Sequence, residues 1–383
     1  MKDCLNLLGI DAVSDKVIHI THNDADGVGC AVVAAILLPE YDLLNNTYLC
    51  AIGEHNEKLN EILDEYDDNA DIPNLIIVSD LCLDKSTLFR VNEYYKKGSI
   101  VLAVDHHETN NVYDIIPNCT WYRVCKDKIH DDRFKDDVLV SATYLLNRII
   151  RERKGYDNDL SHIFNGRNKV TKYFDTMVDM ISRYDTWEWK NHPYDYTEND
   201  SELASVTYNE DIYSVITKFM GPDRAFKELY EHFYAYTLDT INLPFKPTPI
   251  PSLFTTIYDI DKDNIQKYLS RLIYKAKVYN KDDKAIACFI AENGYVNEAA
   301  SYIYNNYNID YVEIYYPSSN SVSYRTKRDD INLGKMAENN YNGTGGGHSK
   351  SAGTKNIPND VYARIMDRYF NESISLATFA KLV

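Results

Sequence analysis

No stretch of the chain approaches the ~18 consecutive apolar residues that cross a membrane. The opening residues, MKDCLNLLGIDAVSDK, contain acids and no long apolar core, so they do not read as a signal peptide. Basic residues are in deficit: 41 Lys and Arg against 58 Asp and Glu give a net charge of -17. That balance argues against a broad basic groove for long duplex nucleic acid, whose affinity rests on Lys/Arg–phosphate contacts. It leaves room for a short nucleotide held by bound metals and a few positive residues. Cysteine pairs are missing as well. The seven cysteines (Cys4, Cys30, Cys50, Cys82, Cys119, Cys125 and Cys288) form no Cys-x-x-Cys, and their number is odd. They read as reduced core residues of a cytoplasmic protein, not as disulfides or a zinc site. Internal repeats, low-complexity tracts and Gly/Ser linkers are absent too.

What is present is an α/β pattern. At 383 residues and 44% hydrophobic content, the chain has length for about two domains. Apolar runs at 17–20, 75–78 and 100–104 read as strands buried on both faces. Helical spacing follows at 29–38, 54–67, 84–97 (stopped by Gly98), 138–152 and 170–184. Strand alternating with helix predicts a parallel sheet with flanking helices. Residues 191–261 are less regular and contain the Pro-rich LPFKPTPIP at 243–251. A connecting helix is expected over 263–280. A second α/β pattern follows, with strands at 285–290, 311–316 and 322–326 and helices at 296–307 and 333–339. Pro317 to Asn320 reads as a hairpin turn. The 33 tyrosines read as half-buried packing residues. The expected division is 1–192, a helical connector over 193–280, and 281–383.

Each early strand ends in acid or imidazole. The first is followed by His22-Asn23-Asp24-Ala25-Asp26-Gly27, the second by Asp80, the third by Asp105-His106-His107. Open α/β sheets bind ligands at the carboxyl ends of their strands. Alternate residues of an extended segment share a side, so His22, Asp24 and Asp26 are expected to project together. A mixed set of imidazole and carboxylate suits divalent Mn, Fe or Co better than a thiolate-type zinc site. Close carboxylates also need a cation, because they repel one another. Read singly, these residues have plainer explanations. Asp-Ala-Asp-Gly is a polar turn, Asp80 a helix cap, Asp185 a solvated acid, and Arg325 a solvated strand residue. Their common placement at strand ends is what points to a site.

The segments HNDADG, SDL, VDHH and RYDTW resemble, in order, the four motifs of the DHH phosphoesterase superfamily. Gly345-Gly346-Gly347-His348 looks like the glycine signature of the associated C-terminal DHHA1 domain. Together they span about 17–187 and 284–355. Within the superfamily, HND-x-DGVGCA, VSAT at 140–143, YDTWEW and VSYRT most resemble oligoribonucleases of the nano-RNase B type. The flanks of the glycine run and the Pro-rich 243–251 depart from the family pattern, which bears on substrate choice.

The resemblance implies an N-terminal parallel-sheet DHH domain, a smaller mixed-sheet DHHA1 domain, and an active site in the cleft between. It implies two divalent metal ions, usually Mn2+. His22 and Asp24 would hold the first; Asp26, His106 and Asp185 the second; Asp80 would bridge them. Four carboxylates and two neutral imidazoles balance two divalent cations, and two such ions can share a hydroxide nucleophile. His107 would act on the phosphate or leaving group as a catalytic residue, with Asp105 orienting its neighbours. Arg325, Gly345, Gly346, Gly347 and His348 would bind substrate, the glycines through backbone amides that can approach a phosphate closely.

The implied activity is hydrolysis of short RNA, about two to five nucleotides, to mononucleotides. Alternatives are a phosphodiesterase or phosphatase of signalling nucleotides (cyclic or linear dinucleotides, cyclic mononucleotides, pAp), which could destroy defence signals, and a non-catalytic nucleotide-binding module. All six candidate ligands are present, which disfavours the last. A homodimer is compatible with the resemblance.

Overall fold

The computed structural model of the chain describes residues 16–69, 71–107, 122–124, 128–130, 137–156, 160, 162–164, 166–186, 188–191, 194, 210–237, 248, 250–291, 294–339, 341, 344–347 and 349–381. The fold divides into two compact units, Met1–Tyr258 and Asp259–Val383.

The first unit is built on five parallel strands: β1 (Val17–His22), β2 (Thr47–Cys50), β3 (Leu75–Ser79), β4 (Ile100–Val104) and β5 (Tyr122–Val124). Their order is β2-β1-β3-β4-β5. The chain thus steps outward from β1 to β2, then returns past β1 to β3. In a doubly wound sheet that reversal opens a crevice at the carboxyl ends of β1 and β3. Strand periodicity separates the two core layers. Ile18, Ile20, Ile76, Val78, Val101 and Ala103 face one layer, with the helices His55–Asp68 and Lys85–Lys97. Val17, Leu75, Ile77 and Val104 face the other. Each of these Ile, Leu and Val side chains, fully buried, contributes about 1.5–3 kcal/mol, so the apolar runs define the sheet strongly.

The helix Ala25–Leu37 lies in the second layer, with all 13 of its residues buried. Gly29 brings it against its neighbours: a Cβ there would stand 2.4 Å from Thr143 Oγ1. The helices Ala142–Lys154, Asn168–Asp185, Ile212–Met220 and Pro222–Tyr234 complete the layer, the last through Phe226, Leu229 and Phe233. Beyond the sheet, β6 (Lys128–Ile129) and β7 (Val138–Leu139) form a short antiparallel pair.

The second unit carries a seven-stranded mixed sheet: β8 (Lys277–Lys281), β9 (Lys284–Ile290), β10 (Tyr311–Tyr316), β11 (Ser321–Arg325), β12 (Thr344–Gly347), β13 (Ser351–Lys355) and β14 (Ile374–Ser375). Its order is β12-β13-β11-β10-β9-β8-β14, with β9 and β10 parallel and the other neighbours antiparallel.

The structure corrects the sequence reading in several places, the helix expected over 29–38 beginning at Ala25 among them. The helix expected over 263–280 runs Ser252–Lys275, and 277–281 is strand β8, closed onto β9 by a tight turn at Asp282 and Asp283. The helix expected from 138 begins at Ala142, because Val138–Leu139 pairs as β7. Strands β2 and β13 carried no strong apolar pattern; β2 is an edge strand of intermediate burial and β13 is short and polar. The Pro-rich 243–251 lies mostly outside the described residues. Among the described residues no helix is long and apolar enough to cross a membrane.

Candidate metal centre

The site begins where β1 ends. His22 closes the strand, and Asp24 caps the helix Ala25–Leu37: its Oδ1 accepts from the backbone N–H groups of Asp26 and Gly27, both at 3.1 Å. Its Oδ2 lies 2.9 Å from His22 Nδ1. Only glycine fits three residues beyond the cap, since a Cβ on residue 27 would stand 1.9 Å from the His22 carbonyl oxygen. The sequence reading of one extended segment is therefore wrong in detail. The backbone enters a helix at Ala25, so Asp26 does not share a side with His22 and Asp24.

Asp26 instead points between elements. Its Oδ1 accepts from Ser141 Oγ at 2.5 Å and from Thr143 N at 3.0 Å. Its Oδ2 accepts from Ala142 N at 2.9 Å and lies 3.7 Å from His106 Nε2. Asp26 thus supplies, from another element, the acceptor for the first N–H groups of the helix Ala142–Lys154. Ser141, the N-cap residue there, makes no such bond itself.

Asp80 follows β3 in a left-handed conformation, φ 56°, and is buried. A non-glycine residue in that region costs about 1–3 kcal/mol and marks a conformation imposed by its surroundings. Here it sends the two carboxylate oxygens to different partners. Oδ1 lies 3.4 Å from His106 Nε2 and Oδ2 lies 3.6 Å from His22 Nδ1. After β4, Asp105 Oδ1 accepts from the backbone of His106 at 2.8 Å and sits 2.7 Å from His107 Nδ1. Asp185, the last residue of the helix Asn168–Asp185, places Oδ2 3.1 Å from His106 Nε2.

Two donor sets result: His22, Asp24 and Asp80, and Asp26, His106 and Asp185. Within each, one ligand atom per residue lies within 4.8 Å of the others. A further group of that kind joins Asp80 and His106 to Asp105 and His107, so Asp80 is common to both halves of the cluster. The donors are hard oxygens and imidazole nitrogens, a set matched to divalent ions. Buried Asp80 Oδ2 and His106 Nε2 have no hydrogen-bond partner. Buried polar atoms are normally satisfied; these two face only imidazole and carboxylate groups of the same cluster, at 3.1–3.7 Å, an arrangement that fits a cation among them.

The electrostatics agree. The Asp24 carboxylate against its ring, with that of Asp80 beyond, raises the His22 pKa to about 10. For His106 burial opposes protonation, but the carboxylates of Asp185 and Asp80 outweigh it and raise its pKa to about 11. Burial pushes Asp26 and Asp80 upward, Asp26 further through its carboxylate neighbours. A cluster this acidic takes positive charge from whatever is available, protons included.

The residues expected to bind substrate lie in the second unit. Arg325 ends β11; its Nη1 donates to the Tyr324 carbonyl at 2.9 Å and its Nε to Asn297 Oδ1 at 3.1 Å. Gly345, Gly346 and Gly347 form β12, a strand and not a loop, paired with β13. Arg325 faces Ser351 and Gly347 faces Ala352, so Arg325 and the end of the glycine strand flank the same end of β13. His348 lies outside the described residues.

Sequence reasoning did not find the part played by Ser141, Ala142 and Thr143. Their contact with Asp26 spans about 115 residues, and the only signal was the VSAT wording. It also passed over a buried hydrogen-bond chain beneath the site. His19 Nε2 meets Ser79 Oγ at 2.8 Å, and Ser79 donates to Thr21 Oγ1 at 2.9 Å.

No family model matches the chain. Two solved structures share the fold. A DHH-domain protein described as a member of the s1p family of ribosomal proteins is 15% identical, with a TM-score of 0.52, over 93% of this chain and 86% of that one. An exonuclease RecJ bound to manganese is 13% identical, with a TM-score of 0.51, over 96% of this chain and 92% of that one. In fold, motif order and sequence the chain is similar to DHH-domain phosphoesterases, and the likeness supports a phosphoric-ester hydrolase. Among curated proteins the chain is similar to the oligoribonuclease NrnB of Bacillus subtilis (strain 168). The two are 24% identical over 348 residues, 89% of this chain and 73% of that protein.

Proposed function

We propose that the protein hydrolyses phosphodiester bonds in short oligoribonucleotides, releasing mononucleotides, with two divalent metal ions, Mn2+ foremost. The observation that carries this reading is Asp80, whose two oxygens address the two imidazoles of two separate donor sets. His22 and Asp24 would hold one ion, Asp26, His106 and Asp185 the other, and Asp80 both. Bound there, such a pair lowers the pKa of water and stabilises charge on the attacking and leaving oxygens.

The chain's own residues do the rest. Asp24 Oδ1 is committed to the helix cap, which leaves Oδ2 for the cluster. Asp105 draws the proton of His107 to Nδ1 and holds the ring, leaving Nε2 for the substrate phosphate or the departing oxygen. Backbone N–H groups of Gly345–Gly347 and the Arg325 guanidinium supply donors for a phosphate of the substrate. The likeness to an oligoribonuclease supports a short RNA as that substrate, and the net charge of -17 disfavours a long duplex.

The test is turnover of a dinucleotide and a five-nucleotide RNA with Mn2+, beside pAp, cyclic di-AMP and 3′,5′-cyclic AMP. Preferred cleavage of the linear RNAs, lost with chelator and in a folded Asp80→Ala variant, is the expected result. Preference for a cyclic nucleotide or pAp would move the protein to signal degradation. Activity retained in Asp80→Ala would overturn the metal reading.

A further inference from the structure

We propose that Tyr341 is a positioning residue for the glycine strand β12, its hydroxyl held between buried Glu313 and Arg368. The inference rests on the proposed role of Gly345–Gly347 in substrate binding.

Glu313 lies in the middle of β10 and is 1% exposed. A carboxylate buried so deeply needs partners, and tyrosines supply them. Tyr279 and Tyr315 donate to Oε2, at 2.9 and 2.6 Å, and Tyr341 donates to Oε1 at 3.1 Å. Arg368 provides the opposing charge. Its guanidinium lies 4.4 Å from the centre of the Tyr279 ring, and its Nη2 donates to the Tyr341 hydroxyl at 2.9 Å. The hydroxyl of Tyr341 therefore accepts from a cation and donates to an anion, two charge-assisted bonds on one atom.

The backbone of Tyr341 shows what that grip achieves. Its φ is 58°, a region that bulky residues rarely occupy. Tyr341 stands between the helix Leu333–Asn339 and β12, which begins three residues later at Thr344. The far side of the same turn is also fixed. Thr354, paired with Gly345 across the sheet, donates to the Ala337 carbonyl at 3.0 Å. A Cβ on residue 345 would stand 1.9 Å from that same carbonyl oxygen. The glycine strand is thus clamped against the helix at Ala337 and drawn to the core at Tyr341. Amides that meet a phosphate must be placed to within a fraction of an ångström, and Gly345–Gly347 have no side chains of their own to place them. The anchoring comes from Tyr341.

The experiment compares Tyr341→Phe, Arg368→Lys and Gly346→Ala with the full wild-type chain. It reads kcat, KM for a dinucleotide RNA, and thermal midpoint. A Cβ on residue 346 meets no atom within 4 Å, so Gly346→Ala changes the strand's surface without disturbing its packing. The expected result for Tyr341→Phe, which removes both bonds of the hydroxyl, is a KM raised about three- to tenfold, with kcat unchanged. Arg368→Lys is expected to show the same split, and Gly346→Ala a raised KM. A raised KM in Gly346→Ala with wild-type KM in folded Tyr341→Phe and Arg368→Lys overturns the positioning role alone. Wild-type KM in all three overturns the substrate role of the glycine strand as well. A fall in kcat that only tracks the loss of folded protein makes the cluster purely structural and contradicts the inference.

Discussion

The hydroxyl of Ser141 donates to Oδ1 of Asp26 across 2.5 Å, joining residues 115 positions apart. The bond couples the entry of one helix to a carboxylate inside the acidic cluster. Removing it in Ser141→Ala leaves Asp26 Oδ1 with the Thr143 N–H alone of that pair. Groups that orient metal ligands typically matter 10- to 100-fold in affinity or activity. The variant is expected to fold, with a thermal midpoint lowered by a loss of about 1–2 kcal/mol. Its metal affinity should fall by about that 10- to 100-fold, read by calorimetric titration. Unchanged affinity would show that the helix N–H groups alone fix Asp26.

Gly27 has no substitute. A methyl group there would overlap the His22 carbonyl oxygen at 1.9 Å, a backbone atom at the end of a buried strand. The helix would have to move away from β1, separating Asp24 from His22. Gly27→Ala is expected to lose turnover and several kcal/mol of stability, as a strained or overpacked buried site does. Urea denaturation and assay together check it. Wild-type values for both would contradict the packing described.

Metal loading should release protons. Ligand imidazoles must be neutral to bind, whereas in the metal-free protein His22 and His106 stay protonated up to pH about 10 and 11. At pH 8 about two protons per chain are expected to leave as the site fills, and apparent affinity should rise with pH towards those values. Titration in buffers of different ionisation enthalpy counts the protons. A heat independent of buffer would contradict this electrostatic account.

Burial sets the opposite shift at His19, whose pKa falls to about 3 from 6.5. Between those values the unfolded chain binds the extra proton, so stability rises with pH through that window and is lost as pH falls through it. At pH 4.5 the loss from this residue is about 2–3 kcal/mol. His19→Gln, which can still bond Ser79 and Thr47, should show a shallower fall in thermal midpoint between pH 7 and 4.5. An identical pH profile would rule out His19 as the source.

Much of the site was legible because its residues follow continuous apolar runs. Such runs mean strands buried on both faces, and a buried parallel sheet places whatever follows each strand on one edge. His22, Asp80 and His106 can be collected on that basis from the sequence alone. Asp26 was legible as a member but not in its orientation, because the helix expected from residue 29 begins at Ala25. Ser141 was out of reach, since a contact across 115 residues leaves no trace in spacing. In the second unit, Gly345–Gly347 shows no strand propensity and is a strand through its pairing with β13. The Glu313 cluster was hidden for a related reason. Its tyrosines come from β8, β10 and the turn before β12, and only the sheet order brings them together.

The most direct measurement is turnover of a dinucleotide RNA as Mn2+ is titrated into the metal-free protein, with bound ions counted in parallel. The shared position of Asp80 between two donor sets predicts two ions per chain and activity that appears with the second. Full activity with one ion bound, or in the presence of chelator, would contradict the two-metal site.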